Sequence, residues 1–155
     1  MRLVTSLAFA AAALFGTAAQ AQVNVKIGVM NDMSSLYADI TGRGSVTAAK
    51  MAVEDFNPAA HGMKVEIIGA DHQNKPDVGS NIARQWYDVD GVDVIVDVPT
   101  SSVALAITDI TREKNKVFLV SGAATSDLTG PSPTAATALV GVQQRSGIGF
   151  RDRQR

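Results

Sequence analysis

The chain has 155 residues, 46% of them apolar and 19% charged, with a formal net charge of −1 and no cysteine. That balance belongs to a soluble globular protein held by an ordinary hydrophobic core. It excludes a disulfide scaffold, thiolate metal sites and a cysteine nucleophile.

The first residues predict export. Arg2 is a short positive region, residues 3–15 form an apolar run, and Ala19-Gln20-Ala21 is a small-residue finish. The pattern is that of a secretory signal peptide over residues 1–21, cleaved before Gln22. Its apolar run is too short to span a bilayer, which argues against an anchor. About 134 residues remain after cleavage, enough for one domain and not for two.

Residues 23–30 (VNVKIGVM) are β-rich and stop at the turn pair Asn31-Asp32. Residues 44–57 place Val46, Ala49, Val53 and Phe56 at helical spacing, and Asn57-Pro58 ends that helix. Residues 63–70 (MKVEIIGA) form the second predicted strand. Pro76-Asp77 opens a second helix with Val78, Ile82, Trp86 and Val89 on one face, proline and an acid both suiting a helix start. A third strand is predicted over residues 92–98, a third helix over 101–115 and a fourth strand over 117–121. Apolar strands alternating with helices across short connections predict an α/β fold, a doubly wound parallel sheet buried on both faces.

Beyond Gly130 the pattern stops. Residues 22–130 hold nine basic and fourteen acidic side chains, whereas residues 131–155 hold four arginines against Asp152 and no lysine. Apart from a brief apolar piece at 138–142, the last segment lacks periodicity and reads as aberrant or disordered. As a nucleic-acid arm it fits poorly on an exported protein with an acidic body, and no nucleic-acid partner is expected.

In an open parallel sheet, ligands bind beyond the carboxyl ends of the strands. Two such ends here are rich in hydroxyls, Pro99-Thr100-Ser101-Ser102 and residues 121–126. The first also opens a helix, where free N–H groups attract an anion such as a carboxylate; the bland reading is an ordinary N-cap. Ser34, Ser35 and Tyr37 follow the first strand and could line the same crevice, or simply satisfy their own loop. Asp97 reads as a strand-end carboxylate bonding locally. Together with Asn31-Asp32 it also suggests a receiver-like phosphotransfer site, which a signal peptide contradicts. His61 and His72 lack partners at metal-ligand spacing, His72 sits in a polar loop where a solvated side chain is expected, and no G-x-S-x-G elbow is present. The reading is a binding protein, not an enzyme, with no metal and no cofactor.

Four segments carry a resemblance: VKIGVMNDMSSLYADITG, AAKMAVEDFN, ADHQNKPDVGSNIARQW and VPTSSVALAITDITREKNKVFLVSGAATSDLTG. Over roughly residues 24–130 the chain resembles the periplasmic solute-binding proteins of branched-chain-amino-acid (leucine-binding protein-like) ABC transporters, of the type I two-lobed fold. The resemblance implies that residues 22–130 are the N-terminal lobe. It implies that Thr100, Ser101 and Ser102 bind the ligand together with Ala123, Ala124 and Thr125, through backbone groups and hydroxyls. Tyr37 falls in the loop that often shapes the side-chain pocket. The implied ligand is a small polar solute such as an amino acid, an amide or a related organic acid. The implied partner of the full-length protein is an inner-membrane ABC permease, and the implied compartment is the periplasm.

Members of that family are much longer, and continue past this point into a second lobe. The break at Gly130-Pro131 therefore predicts a frameshift or truncated reading frame, with residues 131–155 as its product and the second lobe missing. Ligand binding by the chain alone is then expected to be weak or undetectable. An extracellular sensor domain of the same fold is the rival binding module.

Overall fold

The computed structural model describes residues 22–128; the predicted signal peptide and the segment 131–155 lie outside them. Strands β1 (Val23–Asn31), β2 (Met63–Asp71), β3 (Val94–Asp97) and β4 (Val117–Val120) form one sheet in the order β2-β1-β3-β4. All three pairings are parallel, with Asn31 opposite Asp71, Met30 opposite Asp97, and Asp97 opposite Val120. Helices α1 (Gly42–Phe56), α2 (Pro76–Asp88) and α3 (Ser101–Glu113) make the crossovers. The expected α/β, doubly wound parallel sheet is what the chain forms.

Small residues set the two layers. A Cβ on Gly28 would meet the Trp86 ring of α2 at 2.3 Å, and a Cβ on Gly69 would meet Val46 of α1 at 2.8 Å. Gly69 pairs with Val29, the neighbour of Gly28, so these two contacts lie on opposite faces of the sheet. Helices α2 and α3 thus share one face and α1 lies on the other. Gly79 brings the first pair together, since a Cβ there would stand 2.5 Å from Val103. The main core is on that face: Met30, Ile95, Phe118 and Val120 of the sheet pack with Ala83, Trp86 and Tyr87 of α2 and with Val103, Ala104, Ile107 and Ile110 of α3.

Two expected faces shift. On α2 the buried stripe is Gly79, Ala83, Trp86 and Tyr87, and Val89 is exposed, because Val89 is already the C-cap and has left the helix. On α1, Phe56 is half-exposed and stacks on His61, ring centroids 4.7 Å apart, instead of entering the core. Asn57 ends α1 as expected, in a left-handed conformation with its N–H bonded to the Val53 and Glu54 carbonyls. Strand β3 starts at Val94, later than expected. The Val92 N–H bonds Trp86 O and the Asp93 N–H bonds Lys26 O, so the approach is irregular, with Val92 buried between the exposed Gly91 and Asp93. It ends at Asp97 because Asp97 and Val98 turn to φ +81 and +45 just before Pro99.

Candidate functional site

Strand β1 has β2 on one side and β3 on the other, so the chain reverses its winding between β1 and β3. In open α/β sheets ligands bind outside the carboxyl ends of the strands at such a switch point, and the loops after β1, β3 and β4 lie at that end.

The β1 loop is organised by Asp32, which is fully buried. Its carboxylate accepts the Ser35 N–H at 2.8 Å, the Ser35 hydroxyl at 2.6 Å and the Tyr37 N–H at 2.9 Å, with the Ser34 N–H at 3.4 Å. Burial by itself would raise the pKa of Asp32, but these hydrogen bonds outweigh it and hold the carboxyl below its ordinary value. Asp71, at the end of β2, accepts the Met33 N–H at 2.9 Å and the Gln73 N–H at 2.8 Å, and is held low in the same way against burial. Ser34 and Ser35 therefore serve their own loop. Tyr37 is 38% exposed at the loop's rim, its carbonyl accepting the Ile40 and Thr41 N–H groups.

His72 is buried, which corrects the solvated reading. Its main-chain N–H donates to Asn31 O at 2.8 Å and its Nδ1 accepts the Asn74 N–H at 3.0 Å. An accepting Nδ1 leaves the proton on Nε2, a buried atom with no hydrogen-bond partner. Burial pushes the His72 pKa down, although Asp32, Asp71 and Asp97 pull it up.

Thr100 is the N-cap of α3 in position only. Its side chain makes no capping bond, and Oγ1 is buried without a partner. The ordinary N-cap reading therefore fails here. The first intrahelical bond runs from the Ala104 N–H to Thr100 O at 2.9 Å, so the N–H groups of Ser101 and Ser102 open the helix. Ser101 is half-buried and Ser102 exposed. In the β4 loop, Ala123 is buried in the core, Ala124 is exposed, and Thr125 Oγ1 accepts the Asp127 N–H at 3.3 Å. The two loops touch: a Cβ on Gly122 would lie 3.3 Å from Pro99 Cβ. The loops that carry the sequence-predicted residues thus meet at Pro99 and Gly122, while Tyr37 stands on the β1 side of the switch point.

Among the described residues no group of histidines and acids could hold a metal ion, and no helix is long and apolar enough to cross a membrane. A groove of about 520 Å³ lies at the opposite, amino end of the sheet, between Lys26, Lys64, Glu66, Asp90 and Asp93. Within it Lys26 Nζ stands 3.5 Å from the Glu66 carboxylate and donates to the Asp90 main-chain carbonyl at 3.1 Å.

An open, doubly wound sheet with polar loops at its switch point defines a class of α/β domain that takes small polar molecules at its strand ends. Comparison with known proteins narrows the class. Residues 24–148 match the periplasmic binding protein family, a match that continues past the composition break at Gly130. The Leu/Ile/Val-binding protein homolog 3 of Brucella melitensis is 34% identical over 140 residues, covering 87% of this chain and 35% of that protein. A periplasmic binding protein from Burkholderia mallei is 45% identical with a TM-score of 0.65, over 68% of this chain and 28% of that one. A branched chain amino acid ABC transporter periplasmic ligand-binding protein from Burkholderia xenovorans is 46% identical with the same TM-score and the same coverage. The chain belongs to the periplasmic binding protein family, and spans about a third of the length of these relatives.

Proposed function

We propose that the chain acts in the solute-binding component of an ABC importer, in the periplasm, and that its strand ends hold a small amino acid or related organic acid. The Ser101 and Ser102 N–H groups and the Thr100 hydroxyl receive the solute's carboxylate. Ala123, Ala124 and Thr125 offer backbone groups and a hydroxyl to its other polar atoms, and Tyr37 flanks its side chain. The observation that carries the reading is the Thr100 hydroxyl. A buried hydroxyl without a partner costs free energy, and at the positive end of α3 an anionic oxygen would satisfy it. The names of the Brucella and Burkholderia xenovorans relatives support a branched-chain amino acid as the first solute to try.

The test is a nuclear magnetic resonance titration of the ¹⁵N-labelled chain with L-isoleucine and, separately, benzoate. Weak binding, with amide shifts centred on residues 100–102 and 123–125, is the expected result. No shift with either probe at tens of millimolar, or shifts centred elsewhere, would sink the reading.

A further inference from the structure

We infer that Asp97 is a positioning residue that locks both ligand loops to the end of β1. This rests on the reading that those loops hold the solute.

Asp97 uses both carboxylate oxygens on side chains from the two neighbouring strand ends. Oδ2 accepts Asn31 Nδ2 at 2.9 Å, from β1, and Oδ1 accepts the Ser121 hydroxyl, from the start of the β4 loop. Its main chain repeats the pattern. The Ser121 N–H donates to Asp97 O at 3.2 Å, and the next residue's N–H, that of Val98, donates to Met30 O at 3.1 Å. One residue thus ties together β1, β3 and β4 where the crevice opens.

The backbone there needs such a tie. Asp97 and Val98 are consecutive non-glycine residues at φ +81 and +45, and a β-branched residue rarely adopts a left-handed conformation. Strained backbone of this kind persists only where the surroundings over-determine it, and it clusters at binding sites. Here the turn aims Pro99 at Gly122 and sets Thr100 at the head of α3. A carboxylate suits the task because it is acceptor-only and both of its partners are donors. Asparagine could also serve. Asn31 carries a buried, unpartnered Oδ1, and turning its amide over would let that oxygen accept from an asparagine at position 97. Alanine keeps neither bond.

Hydrogen exchange on the ligand-free chain tests this directly. In Asp97→Ala the Val98 and Ser121 amides exchange about tenfold or more faster, while the Val92 amide, bonded to Trp86 O, keeps its rate; Asp97→Asn restores both to near wild type. The isoleucine- or benzoate-induced shifts at residues 100–102 and 123–125 weaken about tenfold in the alanine variant and not in the asparagine one. Equal acceleration at Val92 means general destabilisation and overturns the inference, as do unchanged rates at Val98 and Ser121. Should Asp97→Ala not fold, Ser121→Ala decides. It removes one bond alone and must speed Ser121 exchange without speeding Val92. A wild-type chain that responds to neither probe sinks the solute reading, while the exchange comparison still judges the tie.

Discussion

Trp86 occupies the space that a side chain at residue 28 would need: a Cβ on Gly28 would stand 2.3 Å from Cζ3 and 2.5 Å from Cε3 of the indole. Neither partner can yield easily, since Gly28 lies within β1 between β2 and β3, and Trp86 is buried under α2. Gly28→Ala must push α2 off the sheet. We expect a loss of about 1–3 kcal/mol, the usual cost of overpacking a core. Trp86 is the chain's single tryptophan, so its fluorescence reports the unfolding transition without labelling. A variant with wild-type stability would show that α2 is not seated on β1 as described.

The element order was legible in the sequence because period and punctuation agree along most of the chain. Asn57-Pro58, Pro76-Asp77 and the apolar runs each mark a boundary that the structure keeps within a residue or two. What the sequence hid depends on contacts between distant residues. His72 sits among polar neighbours in DHQNKPD, yet the sheet buries it, because pairing with Asn31 carries β2 one step deeper than its polarity suggests. Asp32 looks like one of several loop polars, and only the folded loop shows its carboxylate gathering the donors of Ser34, Ser35 and Tyr37. Asp97 looked local. Its partners are instead 66 residues before it and 24 after it, a separation that no spacing rule reads. At the candidate site, the two hydroxyl-rich strand ends were visible as sequence, but their contact through Pro99 and Gly122 was not.

Tyr87 joins α2 to the edge of the sheet. Its hydroxyl donates to Val117 O at 3.1 Å and stands 3.3 Å from Thr111 Oγ1 of α3. Tyr87→Phe keeps the ring and removes the hydroxyl, at an expected cost of about 1 kcal/mol in urea unfolding. Burial pushes the Tyr87 pKa from 10.0 up to about 12, so the unfolded chain releases this proton first as pH rises. Stability therefore falls between those two values, and the phenylalanine variant should lose that part of the slope. Parallel curves for the two proteins above pH 10 would show that the hydroxyl is not buried in this way.

Asp32 and Asp71 set the acid limb. Both carboxyls lie below their ordinary value of 3.8 in the folded chain, burial being outweighed by hydrogen bonds from the β1 loop and, for Asp71, also from Gln73. Each contributes stability that is present above the unfolded pKa and lost as pH falls through the folded one. Asp32→Asn removes the charge and, with it, an acceptor for at least one loop donor. The expected cost at neutral pH is about 2 kcal/mol, with a shallower decline of stability below pH 4. An unchanged acid profile in that variant would assign the acid limb to other groups.

His72 governs a separate window nearer neutrality. Burial lowers its pKa from 6.5, against the pull of Asp32, Asp71 and Asp97, so the folded chain holds it neutral where the unfolded chain would protonate it. Between the folded and unfolded values the unfolded state binds more protons, and stability rises with pH. Acidification from pH 7 to 5 must therefore destabilise the fold well before the aspartates titrate. His72→Asn supplies a neutral acceptor for the Asn74 N–H two residues on, the geometry of an Asx turn, and cannot be protonated. Its unfolding free energy, measured in urea at several pH values across that range, should be nearly flat where the wild type slopes. The wild type loses stability over the same interval. Protonation at Nδ1 removes the acceptor of the Asn74 N–H, and the His72 main-chain N–H holds Asn31 O while Asn31 holds Asp97, so the Asn74 amide should loosen first and the Val98 and Ser121 amides after it. If exchange at pH 5 accelerates instead at the amino end of the sheet, His72 is not the group that titrates.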